Sequence, residues 1–189
     1  MLEWIGEPYR AVKVDHHDPE FIRINPAGAV PALDYGGDRP LTQCAAVLQY
    51  LARKHPEADL MDDSSVEAAA ELQRWSAFLT GDLHPAFFPI YFPGRYTVST
   101  DAAAQEEVRA AAIAVVRTRL GLLERQMTGR LWMVGGKRTI LDAYVTPMLN
   151  WSKSLIPGGL DDFPAARAHH DWMLRDAAVR KVMEDEGLA

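Results

Sequence analysis

The stretch Thr139-Ile140-Leu141-Asp142 constrains this chain more than any other. A threonine followed three residues later by a carboxylate can close a reciprocal capping box. Thr139 accepts from the backbone N–H of Asp142, and Asp142 accepts from that of Thr139. Two orphan donors are satisfied at once, and the acid sits at the positive end of the helix. Behind the box, Ile140, Ala143, Tyr144, Pro147, Met148 and Trp151 recur at helical spacing and predict a buried helix to about Leu155. Pro147 inside it should leave the carbonyl of Ala143 without its usual donor and bend the helix. Thr139 and Asp142 are therefore folding residues rather than catalytic ones.

The rest of the second half is also helical. Ser64 with Glu67 offers a capping box for a helix reaching Pro85–Pro93, where prolines kink or end it. Ser99 or Thr100 starts a long alanine-rich helix to about Met127, and Gly129–Lys137 is a loop with room for a short extended piece. Two shorter helices follow, near Phe163–Arg175 and Ala177–Glu186, with Gly187 as the stop.

Before residue 57 the pattern is mixed. Met1–Gly6 reads as the tail of a helix closed by Gly6, and Tyr9–Val14 as a short strand with Val12 and Val14 on one face. Pro19–Ile24 suits one or two helical turns. Asn25-Pro26-Ala27-Gly28 is a turn. Val30–Tyr35 reads as a strand and Gly36-Gly37-Asp38 as a hairpin turn. Arg39–Leu41 is the return strand, with Pro40 marking a sheet edge. Thr42 caps a helix from about Gln43 to His55, whose Cys44, Val47, Leu48 and Leu51 form one stripe. The expected organisation is α+β: a mixed module over 1–57, an acidic linker over 58–65 and an all-helical domain over 66–189.

Composition excludes several classes. A net charge of −6 gives no basic field for nucleic acid or anionic lipid. No run approaches the roughly 18 apolar residues of a membrane span, and the N-terminus lacks a secretory pattern. A single cysteine, Cys44, rules out an intramolecular disulfide and any CxxC motif. Cytoplasm is the expected compartment. The pairs His16-His17 and His169-His170 invite a metal reading, but helix neighbours do not face each other and no ligand spacing accompanies them. A solvated surface is expected for both, and no metal.

Two segments carry more chemistry. In one, Asn25-Pro26-Ala27-Gly28-Ala29-Val30-Pro31-Ala32-Leu33 leads on to Leu41-Thr42-Gln43-Cys44. X–Pro bonds are cis in only about 5–6% of cases, so the residues alone favour trans at Val30–Pro31. In the other, Asp82-Leu83-His84-Pro85 is followed by Phe87, Phe88 and Tyr91. His84 either packs at a kinked helix or lines a site. Phe88, Tyr91, Tyr144 and Trp151 serve either the core or a hydrophobic pocket.

Taken in order, Pro19-Glu20-Phe21, Asn25-Pro26, Val30-Pro31, Gln43-Cys44, Thr139-x-x-Asp142, Phe163-Pro164, Ala178-Val179 and Glu186-Gly187-Leu188 resemble the glutathione transferase family across essentially the whole chain. The Asp82–Tyr91 segment is similar to that of its bacterial beta-like members, although Pro85 stands where a lysine often follows the histidine. The resemblance implies a thioredoxin-like first domain and a helical second domain. It implies a cis Val30–Pro31 bond. Val30 would then pair by backbone with the cysteinyl part of glutathione, and Pro31 would set that geometry. Gln43 and Cys44 would hold the γ-glutamyl end at a helix start. Cys44 departs from the usual serine, and a thiol donates more weakly than a hydroxyl. Cys44 is read as a small recognition residue rather than as a nucleophile. His84, Phe88, Tyr91, Tyr144 and Trp151 would line the cleft or the acceptor site.

The same resemblance implies a strand and turn ahead of this chain's start, where the family keeps its thiol-activating Tyr, Ser or Cys. No catalytic residue is assigned here, and the Tyr9–Val14 and Pro31–Tyr35 strands are expected to show unpaired edges. The implied activity is conjugation of glutathione, a co-substrate, to small hydrophobic electrophiles by a homodimer. No bound cofactor is implied. A non-catalytic glutathione-transferase-like binder or scaffold is the alternative, and a helical protein without a glutathione site is the third reading.

Overall fold

After residue 65 each apolar stripe of the sequence closes into a helix, and before it the chain depends on one short hairpin. The computed structural model describes residues 1–188 and divides into two units, Met1–Met61 and Asp62–Ala189.

In the first unit, α1 (Leu2–Ile5) ends at Gly6, whose φ of 80° is the left-handed stop that glycine permits. α2 (Pro19–Ile24) starts at Asp18, whose carboxylate accepts from the Glu20 N–H. Its exit turn is stitched by Asn25. The side-chain amide donates to the Ala29 carbonyl at 2.6 Å, Oδ1 accepts from Ala27 at 3.2 Å, and the backbone carbonyl accepts from Gly28 at 2.9 Å. β1 (Ala32–Leu33) pairs antiparallel with β2 (Leu41–Thr42), with Ala32 opposite Thr42 and Leu33 opposite Leu41. α3 (Cys44–Lys54) buries Val47, Leu48, Leu51 and Ala52, and Phe21 is buried from α2.

The sheet is smaller than the sequence suggests. Residues 9–14 form no strand; Tyr9 and Val12 are exposed, and the Tyr9 hydroxyl donates to Glu3. Two valines at alternate positions define a face only when a neighbouring strand supplies the ladder. Pro31 and Pro40 cannot donate to a ladder, which confines pairing to two residues on each side. Thr42 lies in β2 and does not cap α3. Gln43 holds that position at φ 68° without a side-chain cap.

In the second unit, α4 (Val66–Phe78) is capped by Ser65, which accepts from the Ala68 N–H at 3.1 Å. Ser64, the expected cap, instead donates to Asp62. A π turn over Leu79–Leu83 precedes α5 (His84–Ala86) and α6 (Phe88–Tyr91). The missing N–H of Pro85 and the Thr80 hydroxyl donating to the Ser76 carbonyl both loosen the regular ladder there. α7 (Ala102–Met127) starts after Asp101, later than Ser99 or Thr100, and buries Ala112, Val116, Leu120, Leu123 and Met127. The loop after it holds no strand. It turns at Gly135, φ 67°, where an added Cβ would run into the Asp62 carboxylate.

α8 (Ile140–Leu155) carries the capping box. The Thr139 N–H donates to Asp142 Oδ2 at 2.7 Å, and Thr139 Oγ1 accepts from the Leu141 N–H at 3.3 Å. Asp142 does more than cap. Its Oδ1 also accepts from the Met133 N–H at 3.0 Å, which ties the preceding loop to the helix. α9 (Pro164–Met173) is capped from another helix: Glu124 on α7 accepts from Ala165 and Ala166 at 3.0 and 2.9 Å. α10 (Ala177–Asp185) is capped by Asp176.

The expected solvated surface for His169-His170 is overturned. Both rings are buried, because α9 packs against α7 and α8. His169 Nδ1 lies 3.1 Å from the Leu131 carbonyl, and Nε2 lies 3.6 Å from Asp142 Oδ1, beyond hydrogen-bond length. Burial pushes the Asp142 carboxyl up and the His169 imidazole down. His16 and His17 are exposed, and no group of three or more metal-ligating side chains assembles among the described residues.

Candidate functional site

The hairpin register organises the first candidate site. Ala32 is opposite Thr42, so Val30-Pro31 enters the hairpin at the end from which Gln43-Cys44 leaves it. The Val30–Pro31 bond is cis, and Val30 is 56% exposed. Gln43 adopts φ 68°, ψ 111°, a strained conformation for a non-glycine residue, and starts α3 with no side chain over its first N–H groups. Val30 and Gln43 are both exposed, and the start of α3 favours a carboxylate. Burial pushes the Cys44 thiol up to about 11, so it is a neutral, weak donor at neutral pH and not a thiolate.

The second candidate site lies within the helical unit. Here α5, α6 and α8 bring together all five aromatic and histidine residues singled out by sequence. His84 Nδ1 is 2.7 Å from the Tyr144 hydroxyl. Its ring meets Phe88 edge-on at 5.2 Å and Trp151 at 5.3 Å, and Tyr91 meets Trp151 edge-on at 6.0 Å. Phe88 and Tyr91 remain exposed by 39% and 44%. Burial holds His84 below the ordinary imidazole value and raises the Tyr91 phenol. A neutral imidazole set in a half-open aromatic surface is the outcome, able to stack on a flat apolar molecule and to offer it one hydrogen bond.

Thr139 and Asp142 are both fully buried and lie in the capping network. A separate cleft of about 310 Å³ between α4 and α7 is lined by Arg74, Trp75, Phe78, Leu122, Arg125 and Gln126. Nothing in the sequence marked it. Glu71 already engages Arg74 at 2.6 Å and the Trp75 indole at 2.9 Å along its edge.

A small thioredoxin-like unit with a short sheet, followed by a helical unit whose α8 carries a capping box, defines the fold class. Residues 1–54 match the sequence profile of the glutathione S-transferase N-terminal domain, and residues 82–176 match that of the C-terminal domain. The chain is 35% identical to glutathione S-transferase GST-4.5 of Xanthomonas campestris pv. campestris, covering 100% of this chain and 92% of the relative. It superposes on a glutathione S-transferase from Xylella fastidiosa with a TM-score of 0.90 at 32% identity, covering 100% of this chain and 91% of that one. A sphingomonad glutathione S-transferase complexed with glutathione gives 0.84 at 29% identity, covering 100% and 92%. The chain belongs to the glutathione S-transferase family.

Proposed function

We propose that this protein conjugates glutathione, as co-substrate, to small hydrophobic electrophiles. The observation that carries the reading is that the cis Val30-Pro31 segment enters the hairpin at the end from which Gln43-Cys44 leaves it, on a chain whose similarity to a bacterial transferase runs end to end. Val30 pairs by its exposed backbone with the cysteinyl part of glutathione, next to Pro31. Gln43 and the open N–H groups of α3 take the γ-glutamyl carboxylate, with Cys44 as the small residue beneath it. The aromatic surface around His84 takes the acceptor, with Phe88, Tyr91 and Trp151 as its apolar walls. Attack by the glutathione thiolate on an electrophilic carbon forms the C–S bond. The protein works without a bound cofactor or metal, in the cytoplasm and as a homodimer. No helix among the described residues is long and apolar enough to cross a membrane.

Thermal unfolding with and without millimolar glutathione tests the binding half. A cooperative transition that moves up by several degrees supports the site, and one that does not move sinks it. Turnover of a chlorodinitrobenzene then separates an enzyme from a binder. The second reading is a glutathione-binding protein without turnover. Cys44→Ser replaces a weak donor with a stronger one and should tighten glutathione by a few fold. Unchanged affinity would remove Cys44 from the site.

A further inference from the structure

Helix α9 turns two imidazoles inward where an amphipathic helix ordinarily turns aliphatic side chains. Its buried face is Ala166, His169, His170 and Met173. Adjacent helical positions point about 100° apart, so the two rings meet different surroundings. His169 Nδ1 lies 3.1 Å from the Leu131 carbonyl, and Nε2 lies 3.6 Å from Asp142 Oδ1. A proton added to Nε2 therefore meets a carboxylate already at hand. His170 is fully enclosed, and neither of its nitrogens has a hydrogen-bond partner. The Asp171 carboxylate stands 3.8 Å from Nδ1, beyond hydrogen-bond length, and its own side chain is 54% exposed. From α8, Lys153 adds a positive charge, and His169 lies beside it on α9. A charged His170 would be a buried cation without a hydrogen bond, facing another cation. Burial first, and then Lys153, hold this imidazole below its ordinary 6.5.

The attachment of α9 is light. Ala166 and Met173 are its buried apolar side chains, against Ala112, Val116, Leu120, Leu123 and Met127 on α7. From α7, Glu124 accepts from the leading amides of α9, and Arg117 pairs with Asp162 just ahead of it. α10 follows with no buried residue, and Arg138 bridges to Asp176 at 2.9 Å. Segments with so little buried apolar surface open at lower cost than the core they rest on. We propose that His170 is an acid latch: a proton taken up there releases α9 and α10 together from α7 and α8, while those two helices stay folded. Once open, the ring binds its proton at the ordinary value of about 6.5; closed, it does so only at lower pH. The opening equilibrium is therefore flat above about pH 6.5. Below that it rises by up to about tenfold per pH unit, until the closed-state value is reached. His169 contributes no such drive, because Asp142 receives its proton in place. Release uncovers Ala166, Met173 and the faces of α7 and α8 beneath them, an apolar surface presented only in acid.

Amide hydrogen exchange on the full chain between pH 5 and 8, corrected for the intrinsic pH dependence of exchange, tests this. In the wild type, amides of α9 and α10 should lose protection by up to about tenfold per pH unit below about pH 6.5, while those of Ala112–Met127 hold theirs. Loss of protection in both regions together, or in neither, overturns the latch, and this reading needs no variant. Two substitutions then locate the proton. His170→Met should abolish the pH response of α9 and α10. Glu124→Gln keeps an oxygen acceptor for Ala165 and Ala166 but cannot titrate; it should lower protection at every pH and leave the response in place. A response that survives His170→Met, or one that disappears in Glu124→Gln, places the trigger elsewhere and overturns the assignment to His170.

Discussion

The two units of this protein solve the same problem, ordering a chain of ordinary composition, by opposite means. The helical unit fixes its elements locally and then buries them deeply: Leu79, Leu83, Leu120, Leu123, Val145 and Leu149 are fully enclosed. The first unit has few local devices. Phe21 and the inner face of α3 are buried, but the chain from Gly6 to Asp18 lies on the surface. Its hairpin depends on pairing four residues across a loop. Function divides along the same line. The proposed glutathione corner sits on the sparingly buried unit, where a strained backbone at Gln43 and exposed main chain are available to a ligand. The proposed acceptor surface sits on the helical unit, where five rings pack against one another.

That contrast can be broken most directly at Asp142. Asp142→Ala strands the buried N–H groups of Met133 and Thr139 and removes the partner facing His169. A loss of about 3–5 kcal/mol is expected, read by denaturant unfolding and by hydrogen exchange of residues 131–145. A loss under about 1 kcal/mol would show that the helical unit does not rely on this network. Next come paired core truncations. Leu123→Ala, at a site with no exposure, should fall near the top of the usual range of about 2–5 kcal/mol. Leu48→Ala, 9% exposed, should fall near the bottom. Equal losses would erase the difference in packing between the units.

A third prediction concerns pH. Burial depresses the imidazole pKa of His84 and His170 below the ordinary 6.5. The unfolded chain therefore takes up these protons first. Stability should be full above about pH 6.5 and fall as pH drops below it, by about 1.4 kcal/mol per pH unit for each group until its folded pKa is reached. His170→Met should remove one proton from that slope, measured by urea unfolding between pH 5 and 8. A slope unaffected by His170→Met would mean the ring is not held neutral. The smallest effect is at the start of α4. Ser65→Ala should cost about 1 kcal/mol and Ser64→Ala less than about 0.5 kcal/mol, since only Ser65 accepts from Ala68.

The same asymmetry governs what the sequence reveals. The box at Thr139 and the stripe behind it are legible because their partners lie within a few residues, and periodicity reports a buried face. Neighbouring serines at 64 and 65 carry the same signal, and only the backbone angle decides between them. The 9–14 strand misled because alternation indicates a face but not a ladder partner. His169 and His170 misled because a polar pair at adjacent positions looks solvated until two helices close over it. In the candidate sites, residue types at Val30, Pro31, Gln43 and Cys44 stood out through family resemblance, whereas the hairpin pairing that brings the two segments to one end is tertiary. Tyr144 and His84 were each noticeable, but the hydrogen bond between them spans 60 residues of sequence.

The cap on α9 has a consequence for the order of assembly. The α8 box joins residues three apart, and such a nucleus can close on the timescale of a helical turn. The Glu124 carboxylate reaches Ala165 and Ala166 across 41 and 42 residues. Until α7 is built and that long loop has closed, α9 has a proline at its start and no acceptor for its leading amides. Helix α9 is thus a latecomer, completed only on a surface that α7 and α8 have already laid down.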